Sequence, residues 1–293
     1  MELVNQLGQH DGTVGEPRIR TSVLRAAFVN RRGRTFVENK FHTAPIKIAK
    51  AFPLDDQLGV IVMDVSPGLL SGDTYELDWF SGQDSHVMIT NQSYTKVHPS
   101  QPAADSSMLQ VFALEENAVV EHMPEPVMLY KDAAFRNETK VKLKAGSVWM
   151  QADVLCPGRT LRGERFDYRS YRNSLSVYYG EELIFSQRQR IEPAKQDITA
   201  PGCWDEMTHT ATFYLFSDRM NSSHLEQLQE KLDSFASPEG HLIVAGASLT
   251  HRFGVAVSAA STAAWPLQQL MRELWQTARK GLLDKPPLRF LQG

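Results

Sequence analysis

A two-residue alternation of apolar and polar side chains runs through most of this sequence and constrains its fold more than any other feature. It is clearest where Val141, Leu143 and Ala145 alternate with three lysines. Successive side chains of a β-strand point to opposite faces, so the pattern predicts a strand with one buried face. The other strand-like stretches are Gly59–Val65, Thr74–Phe80, His86–Thr90, Met108–Leu114, Val119–His122, Ser147–Leu155, Leu175–Tyr179, Glu182–Ile191, His209–Phe216, His241–Leu249 and Val255–Ala259.

The early stretches recur at intervals of about 30 residues, too irregular for a sequence repeat but suited to a winding stack of strands. Turn-forming residues separate them, as in Ser81–Asp84 and Gly180–Glu181. Apolar residues make up 42% of the 293 residues and charged residues 22%, so the chain can bury a sizeable core. We therefore expect a mainly β protein built from stacked sheets.

Two segments near the C-terminus depart from the alternation and have the spacing of amphipathic helices. In the first, apolar residues from Leu225 to Phe235 recur at helical spacing after Ser223, the predicted N-cap. In the second, apolar side chains from Ala264 onward keep to one face until Gly281 ends the helix. No linker-like composition separates these helices from the strands, which predicts one β-rich domain with two late helices.

Charge, cysteine content and hydropathy argue against several functional classes. The formal net charge is −3, and no block of like charges occurs, so nucleic acid and membrane surfaces are not expected partners. Cys156 and Cys203 are too few for a disulfide framework or a zinc ribbon. The N-terminus lacks a signal-peptide pattern and no long apolar stretch occurs, so we expect a cytoplasmic protein.

The sequence lacks the motifs of common catalytic chemistry. Gly8, Gly12 and Gly15 are too sparse for a phosphate-binding loop, and Gly246–Leu249 lacks the second glycine of a nucleophile elbow. The nine histidines include no pair spaced for a helical metal site, so no fixed metal site is predicted. Cys156 follows an apolar strand and is expected to be a buried, unreactive thiol.

Polar and charged side chains instead occur inside stretches that otherwise read as core. Asp73 follows a Gly-rich apolar turn, and Thr95 and Lys96 close a stretch rich in hydroxyls and amides. Asp153 lies within an apolar strand, and Glu164 follows in the next loop. Because buried charges need partners, we expect carboxylates and cations of these segments to meet.

Three interpretations of these residues stay open at this point. In the first, they form structural ion pairs that hold loops in place. In the second, they line a water-filled polar path in which oxygen ligands pass a cation along without trapping it. In the third, the chain is a β-rich hydrolase in which two of Asp73, Asp153 and Glu164 act as an acid–base pair.

Four motifs occur along the chain in a characteristic order and spacing. They are the turn Ser66–Asp73; the stretch Ile89–Lys96; the group Trp149, Asp153, Gly158-Arg159 and Gly163-Glu164; and Ala245–Thr250 followed by Leu274, Trp275 and Arg279. In these motifs, across residues 18–291, the sequence resembles the UreD family of urease accessory proteins, called UreH in some organisms. It departs from the family pattern at Ser71, where a glycine is usual, and at Arg289–Leu291, which replaces a terminal Arg-x-Trp.

The resemblance implies a non-enzymatic scaffold. Proteins of this family bind the helical partner UreF, which recruits the nickel-carrying GTPase UreG, and the assembly docks on apo-urease and supports nickel insertion. The family fold is a β-helix-like stack of strands with two helices, in agreement with the fold expected from the alternation. Nickel is then a transient cargo, and no tightly bound cofactor is expected.

The resemblance also implies an internal polar tunnel as the nickel route. Residues 1–17 have no family counterpart and are expected to form a flexible extension of a single domain spanning 18–293. The resemblance does not indicate which surface meets UreF or urease. By motif matching, the residues expected on or near the tunnel are Asp73, Thr95, Lys96, Asp153 and Glu164, with Arg159 as a structural ion partner.

Overall fold

Strands dominate the computed structural model, which describes residues 20–237 and 240–288. Strands make up 50% of the structure and form a solenoid-like stack, with two helices near the C-terminus. The fold class expected from the sequence is therefore confirmed. The single domain over 18–293 stays a prediction. Residues 1–17, expected to form a flexible extension, lie outside the described residues. So do residues 289–291, where the sequence departs from the family pattern.

Alternation and turns together define seventeen strands and two α-helices within the described residues. The strands are β1 (Thr21–Arg31), β2 (Arg34–His42), β3 (Ile46–Leu54), β4 (Gln57–Asp64), β5 (Thr74–Ser81), β6 (His86–Asn91), β7 (Thr95–Val97), β8 (Ser106–Leu114), β9 (Val119–His122), β10 (Val127–Leu129), β11 (Ala134–Leu143), β12 (Val148–Cys156), β13 (Ser170–Tyr179), β14 (Glu182–Ile191), β15 (His209–Phe216), β16 (Ile243–Leu249) and β17 (Gly254–Ser261). The helices are α1 (Ser222–Ser234) and α2 (Ala264–Leu283).

The strands form two sheets, and the chain passes back and forth between them. The seven-stranded sheet has the order β14-β13-β11-β8-β5-β1-β2. The ten-stranded sheet has the order β16-β17-β15-β12-β9-β6-β4-β3, with the short strands β7 and β10 pairing beside β12.

Parallel pairing between successive turns of the chain produces the coil. Thr74 of β5 lies beside Ser107 of β8, 33 residues later, and their hydroxyls are 2.9 Å apart. Asn137 of β11 pairs in the same way with Asn173 of β13, 36 residues later. Each turn adds a strand to the stack, so the irregular intervals in the sequence are the unequal lengths of these turns.

An aromatic stack fills one end of the space between the sheets. The rings of Phe28 and Trp79 stack with centroids 6.4 Å apart, and Trp79 and Phe112 do the same. Phe112 also meets Trp149 of the facing sheet, with ring centroids 5.9 Å apart. All four side chains are buried. Their packing closes this end of the inter-sheet space to water.

Both helices pack on the outer face of the ten-stranded sheet. In β12, Met150 and Ala152 face the helices, and Trp149, Gln151 and Asp153 face the other sheet. Because both faces of this strand are covered, its sequence reads as a nearly continuous apolar run. Among the described residues, no helix combines the length and apolarity needed to cross a membrane.

Two helix boundaries differ from the sequence prediction. The N-cap of α1 is Asn221, whose side chain accepts from the backbone N–H of Ser223, whereas Ser223 itself was the predicted cap. Helix α2 continues through Gly281 to Leu283. Gly281 lies directly against Gln227 of α1, so here the missing side chain permits close helix packing and does not end the helix.

Candidate functional site

A cavity of about 90 Å³, lined by both apolar and polar side chains, lies between the two sheets next to Trp79 of the aromatic stack. Its walls include Thr95 of β7, His122 of β9, Asn137 of β11 and Asp153 of β12. These strands belong to different turns of the coil, and the alternation within each strand turns the polar side chain inward. The cavity is therefore assembled by the coil and not by any one segment.

Asp153 is held in this cavity by a relay of two hydrogen bonds. Its Oδ2 accepts from Nε2 of Gln151 at 2.7 Å, and Oε1 of Gln151 lies 2.8 Å from Nδ1 of His122. Because Gln151 donates through its amide nitrogen to the carboxylate, its oxygen accepts from His122 Nδ1–H. The remaining nitrogen of that ring, Nε2, then carries the lone pair.

Burial sets the protonation of both ends of this relay. It raises the pKa of Asp153 from 3.8 to about 6, against a smaller lowering by the Gln151 hydrogen bond. It lowers the pKa of His122 from 6.5 to about 4. At neutral pH the Asp153 carboxylate is therefore largely ionised, with a neutral amide and, in the described part of the structure, no cation as its hydrogen-bond partner, and the His122 imidazole is neutral.

Two further carboxylates line the same cavity. Asp64, at the end of β4, accepts hydrogen bonds from Tyr75 Oη at 2.8 Å and from Ser66 Oγ at 2.6 Å. Glu125 accepts from Gln268 of α2 at 3.0 Å, and burial raises its pKa. Glu125 also lines a smaller cavity of about 70 Å³ beneath α2. The polar lining thus continues from the inter-sheet space toward the helix.

On its other side the central cavity adjoins a second one of about 540 Å³. Asn137 and Asp153 line both. The second cavity also contains the amides of Asn173 and Gln189, and Asn137 Nδ2 donates to Asn173 Oδ1 at 3.0 Å. Asn137 Oδ1 is buried with no hydrogen-bond partner among the described residues. A buried carbonyl that lines a cavity can accept a hydrogen bond from a water molecule or from a polar ligand.

Of the residues expected on the path, Thr95 and Asp153 line the central cavity together. Lys96 does not line it, since the next residue of a strand points to the opposite face. Asp73 lies outside as well, where its carboxylate accepts from the backbone N–H of Leu70 at 2.9 Å and closes a turn.

Glu164 and Arg159 meet outside the cavity, in the loop that follows β12. Arg159 Nε donates to Glu164 Oε2 at 2.8 Å, and a second nitrogen of the guanidinium donates to Oε1. The guanidinium carbon lies 4.1 Å from the ring centre of Tyr130. The hydrogen bond from Arg159 lowers the pKa of Glu164. This pair holds a loop, as the first interpretation of the sequence supposes.

The hydrolase interpretation required two of Asp73, Asp153 and Glu164 in one cleft, and only Asp153 lines the cavity. Within the described part of the chain, no group of three or more His, Cys, Asp or Glu side chains is placed to hold a metal ion. Cys156 is buried as expected, and burial raises its pKa to about 12.

Sequence reasoning did not identify most of the cavity lining. Gln151 lies two residues before Asp153 on the same strand face, and Asn137 occupies an inward position of a strand with an outward lysine face. In both strands, the sequence signal for a cavity residue is a polar side chain at a position that alternation assigns to the buried face. Asp64 and His122 carry the same signal, because each lies two residues after a core-facing valine of its strand. Glu125 lies between strands, where alternation gives no signal. The residues missed are Asp64, His122, Glu125, Asn137 and Gln151.

A separate buried cluster joins α2 to the ten-stranded sheet. Glu121 of β9 accepts hydrogen bonds from His86, Trp275 and Arg279. Glu121 is fully buried and Arg279 is 2% exposed. Burial alone would raise the pKa of Glu121, but the hydrogen bonds and charges of His86 and Arg279 outweigh it and lower the pKa. The cluster fixes the helix that forms one wall of the cavity beneath it.

A family model and individual relatives both indicate that this chain is similar to urease accessory proteins. The family model described as UreD urease accessory protein matches residues 20–291. The urease accessory protein UreH of Helicobacter hepaticus is 29% identical over 195 residues, which cover 67% of this chain and 77% of that protein. The urease accessory protein UreD of Acetivibrio thermocellus is 27% identical over 242 residues, covering 82% and 90%. The chain therefore belongs to the UreD family of urease accessory proteins.

Proposed function

We propose that this chain is a non-enzymatic scaffold of urease maturation that carries nickel, as transient cargo, through the cavities between its sheets. In this proposal it works in the cytoplasm with UreF and the GTPase UreG on apo-urease. The family assignment supports the role in urease maturation. The observation that carries the nickel path is the placement of Asp153 in the wall shared by two adjoining cavities.

The chemistry of the central cavity suits a divalent cation of the nickel type. Imidazole nitrogen and carboxylate oxygen are both ligands for such ions. Asp153 is ionised at neutral pH although burial raises the free energy of its charged form. A cation that enters the cavity lowers that free energy. Nε2 of His122 offers a lone pair because the ring is neutral and bonded through Nδ1.

Weak binding follows from how few ligands the cavity provides. A stable site for a transition metal needs three or four protein ligands. Here Asp153 and His122 are joined through Gln151, and Asp64 and Glu125 are already engaged by neighbouring hydroxyl and amide groups. An ion passing between them is held by one or two ligands at a time. That is what delivery to another protein requires.

Nickel content of urease tests this proposal directly. Cells carrying the complete urease gene cluster would express the wild-type chain, no chain, Asp153→Asn, or the exposed control Asp233→Asn. We expect deletion to leave urease without nickel, and Asp153→Asn to lower the nickel content per urease while UreF still co-purifies, because the amide lacks the carboxylate charge that attracts the ion. The control should load urease as the wild type does.

Two outcomes would overturn parts of the proposal separately. Nickel-loaded, active urease in the deletion strain would overturn the scaffold role. Normal loading by Asp153→Asn, with the deletion strain still defective, would overturn the cavity as the route and leave the scaffold role in place. Circular dichroism of the purified variants confirms that each is folded.

A further inference from the structure

Exposed aromatic side chains lie on the outer face of the seven-stranded sheet. Phe41 is 54% exposed and Phe80 is 42% exposed. With Ala27, Val111 and Ala113 they line a shallow groove of about 520 Å³, and we call these five residues the apolar strip. The ion pair between Arg25 and Asp78 also lines this groove. Both helices pack on the other sheet, so neither shields these rings. Clustered exposed rings of this kind mark contact surfaces more often than scattered ones do.

Three arginines lie side by side on the same sheet. Arg136 of β11 is directly opposite Arg172 of β13, which is directly opposite Arg190 of β14. All three side chains are exposed and border a groove of about 620 Å³. We call them the arginine row.

Strand register shows that the arginine row and the apolar strip share one face. Arg136 pairs with Ser107 of β8. Val111 and Ala113 lie four and six residues after Ser107 on that strand, so all three point the same way. Ala113 pairs in turn with Phe80 of β5. The arginine row and the apolar strip therefore lie on a single outward surface, with Val111 about 13 Å along β8 from the position that pairs with Arg136.

The arginine row carries a local electrostatic cost. Like charges directly opposite one another on neighbouring strands destabilise a sheet. Glu192 lies 2.8 Å from Arg190 and 4.0 Å from Arg172. Glu138 and Arg188 border the same groove, so four guanidinium groups there face two carboxylates. The row does not follow from a basic composition either, because the whole chain has a net charge of −3. An anionic partner would remove the repulsion.

We propose that the apolar strip and the arginine row together dock a folded protein partner that presents an apolar centre with carboxylates along one side. Arginine and aromatic residues are enriched in protein interfaces, where the apolar contact supplies affinity and the charges supply orientation and rate. The acidic net charge of the chain disfavours a polyanion such as nucleic acid on this surface. The inference rests on the proposed function only in taking UreF and apo-urease as the partners to be tested.

Charge reversal with a matched control tests the surface. The variant R136E/R172E/R190E changes the net charge by the same amount as the control R31E/R32E/R34E, whose arginines are exposed at the turn between β1 and β2. Binding of the purified full-length chain to UreF and to apo-urease would be measured separately at low and high salt. A second pair compares F41A/F80A with L161A/L242A, which also truncates exposed apolar side chains. Thermal unfolding checks each fold.

The expected result is a loss of at least about tenfold in affinity for one of the two probes in R136E/R172E/R190E and in F41A/F80A. Both controls should bind within about twofold of the wild type. Salt should weaken wild-type binding more than binding of the charge-reversed variant, because that variant lacks the attraction that salt screens. Equal binding of the variants and their controls to both probes would overturn the docking surface alone. If the wild-type chain binds neither probe, the proposed function falls as well.

Discussion

The side-chain amide of Gln151 donates a 2.7 Å hydrogen bond to the carboxylate of Asp153, two residues later on the same face of β12. A neutral amide is the hydrogen-bond partner that the structure gives this carboxylate, and burial raises the Asp153 pKa to about 6. The protein thus keeps an ionised, half-buried carboxylate beside the inter-sheet cavity at neutral pH, with a neutral amide as its hydrogen-bond partner. That arrangement costs stability and has a measurable pH dependence.

We expect Asp153→Asn to stabilise the protein at neutral pH. The folded-state pKa of about 6 lies above the unfolded value near 3.8, so between these values the folded protein binds the proton more tightly. Its stability therefore falls as pH rises through this window, by about 3 kcal/mol in total at pH 7 and roughly half of that at pH 5. The asparagine variant keeps an acceptor for Gln151 and has no proton to lose.

Urea unfolding of the wild type and Asp153→Asn from pH 5 to pH 8 measures this effect. The advantage of the variant in free energy of unfolding should grow between pH 5 and pH 7 and then stay level. A difference that does not change with pH would show that Asp153 is not desolvated in the folded state.

The buried contact between Glu121 and Arg279 leads to a prediction about stability. Removing one partner of a buried ion pair leaves an uncompensated charge and typically costs about 3–5 kcal/mol. We expect Arg279→Met to destabilise by this amount, and Glu121→Leu with Arg279→Met to destabilise less than Arg279→Met alone. Urea unfolding of both variants measures the free energies. A double variant that is less stable than the single one would contradict the prediction.

Gly68 is required where the turn before β5 touches β7. Its φ is +130°, and a Cβ there would overlap the carbonyl oxygen of Lys96. We expect Gly68→Ala to destabilise by more than about 2 kcal/mol, because it adds a clash to backbone strain. Gly163→Ala is the control, since Gly163 has a φ of +80° but open space at the Cβ position. Equal melting temperatures of the two variants would refute a special role for Gly68.

Asp73 and Asp153 should respond differently to the same substitution. The carboxylate of Asp73 accepts from the backbone N–H of Leu70 and does not line the central cavity. Asp73→Asn keeps that acceptor, so nickel loading of urease should match the wild type, unlike loading by Asp153→Asn. Asp73→Ala loses the acceptor and should cost about 1–3 kcal/mol. Nickel per urease and thermal unfolding are the two measurements, and defective loading by a stable Asp73→Asn would place Asp73 on the path.

Alternation located most of the long strands from β4 onward, where the apolar positions of each strand recur at every second residue. The long strands β1, β2 and β3 are absent from the predicted stretches. The predicted bounds of Glu182–Ile191 and His209–Phe216 are those of β14 and β15. The three-residue strands β7 and β10 were missed, since three residues are too few to show a period. Their pairing comes from neighbouring turns of the coil.

The sequence by itself determined the mainly β fold class, the two late helices, the family, and the presence of polar residues at inward positions. Only the tertiary structure decided which of those residues meet. Parallel coiling places His122 beside Gln151, 29 residues later, and brings Thr95 and Asp153 to the same cavity while Lys96 lies outside it. Arg159 and Glu164 pair with each other in a loop instead. Periodicity specifies the face of a strand on which a side chain lies, but what that face meets depends on the stacking of turns that are far apart in sequence.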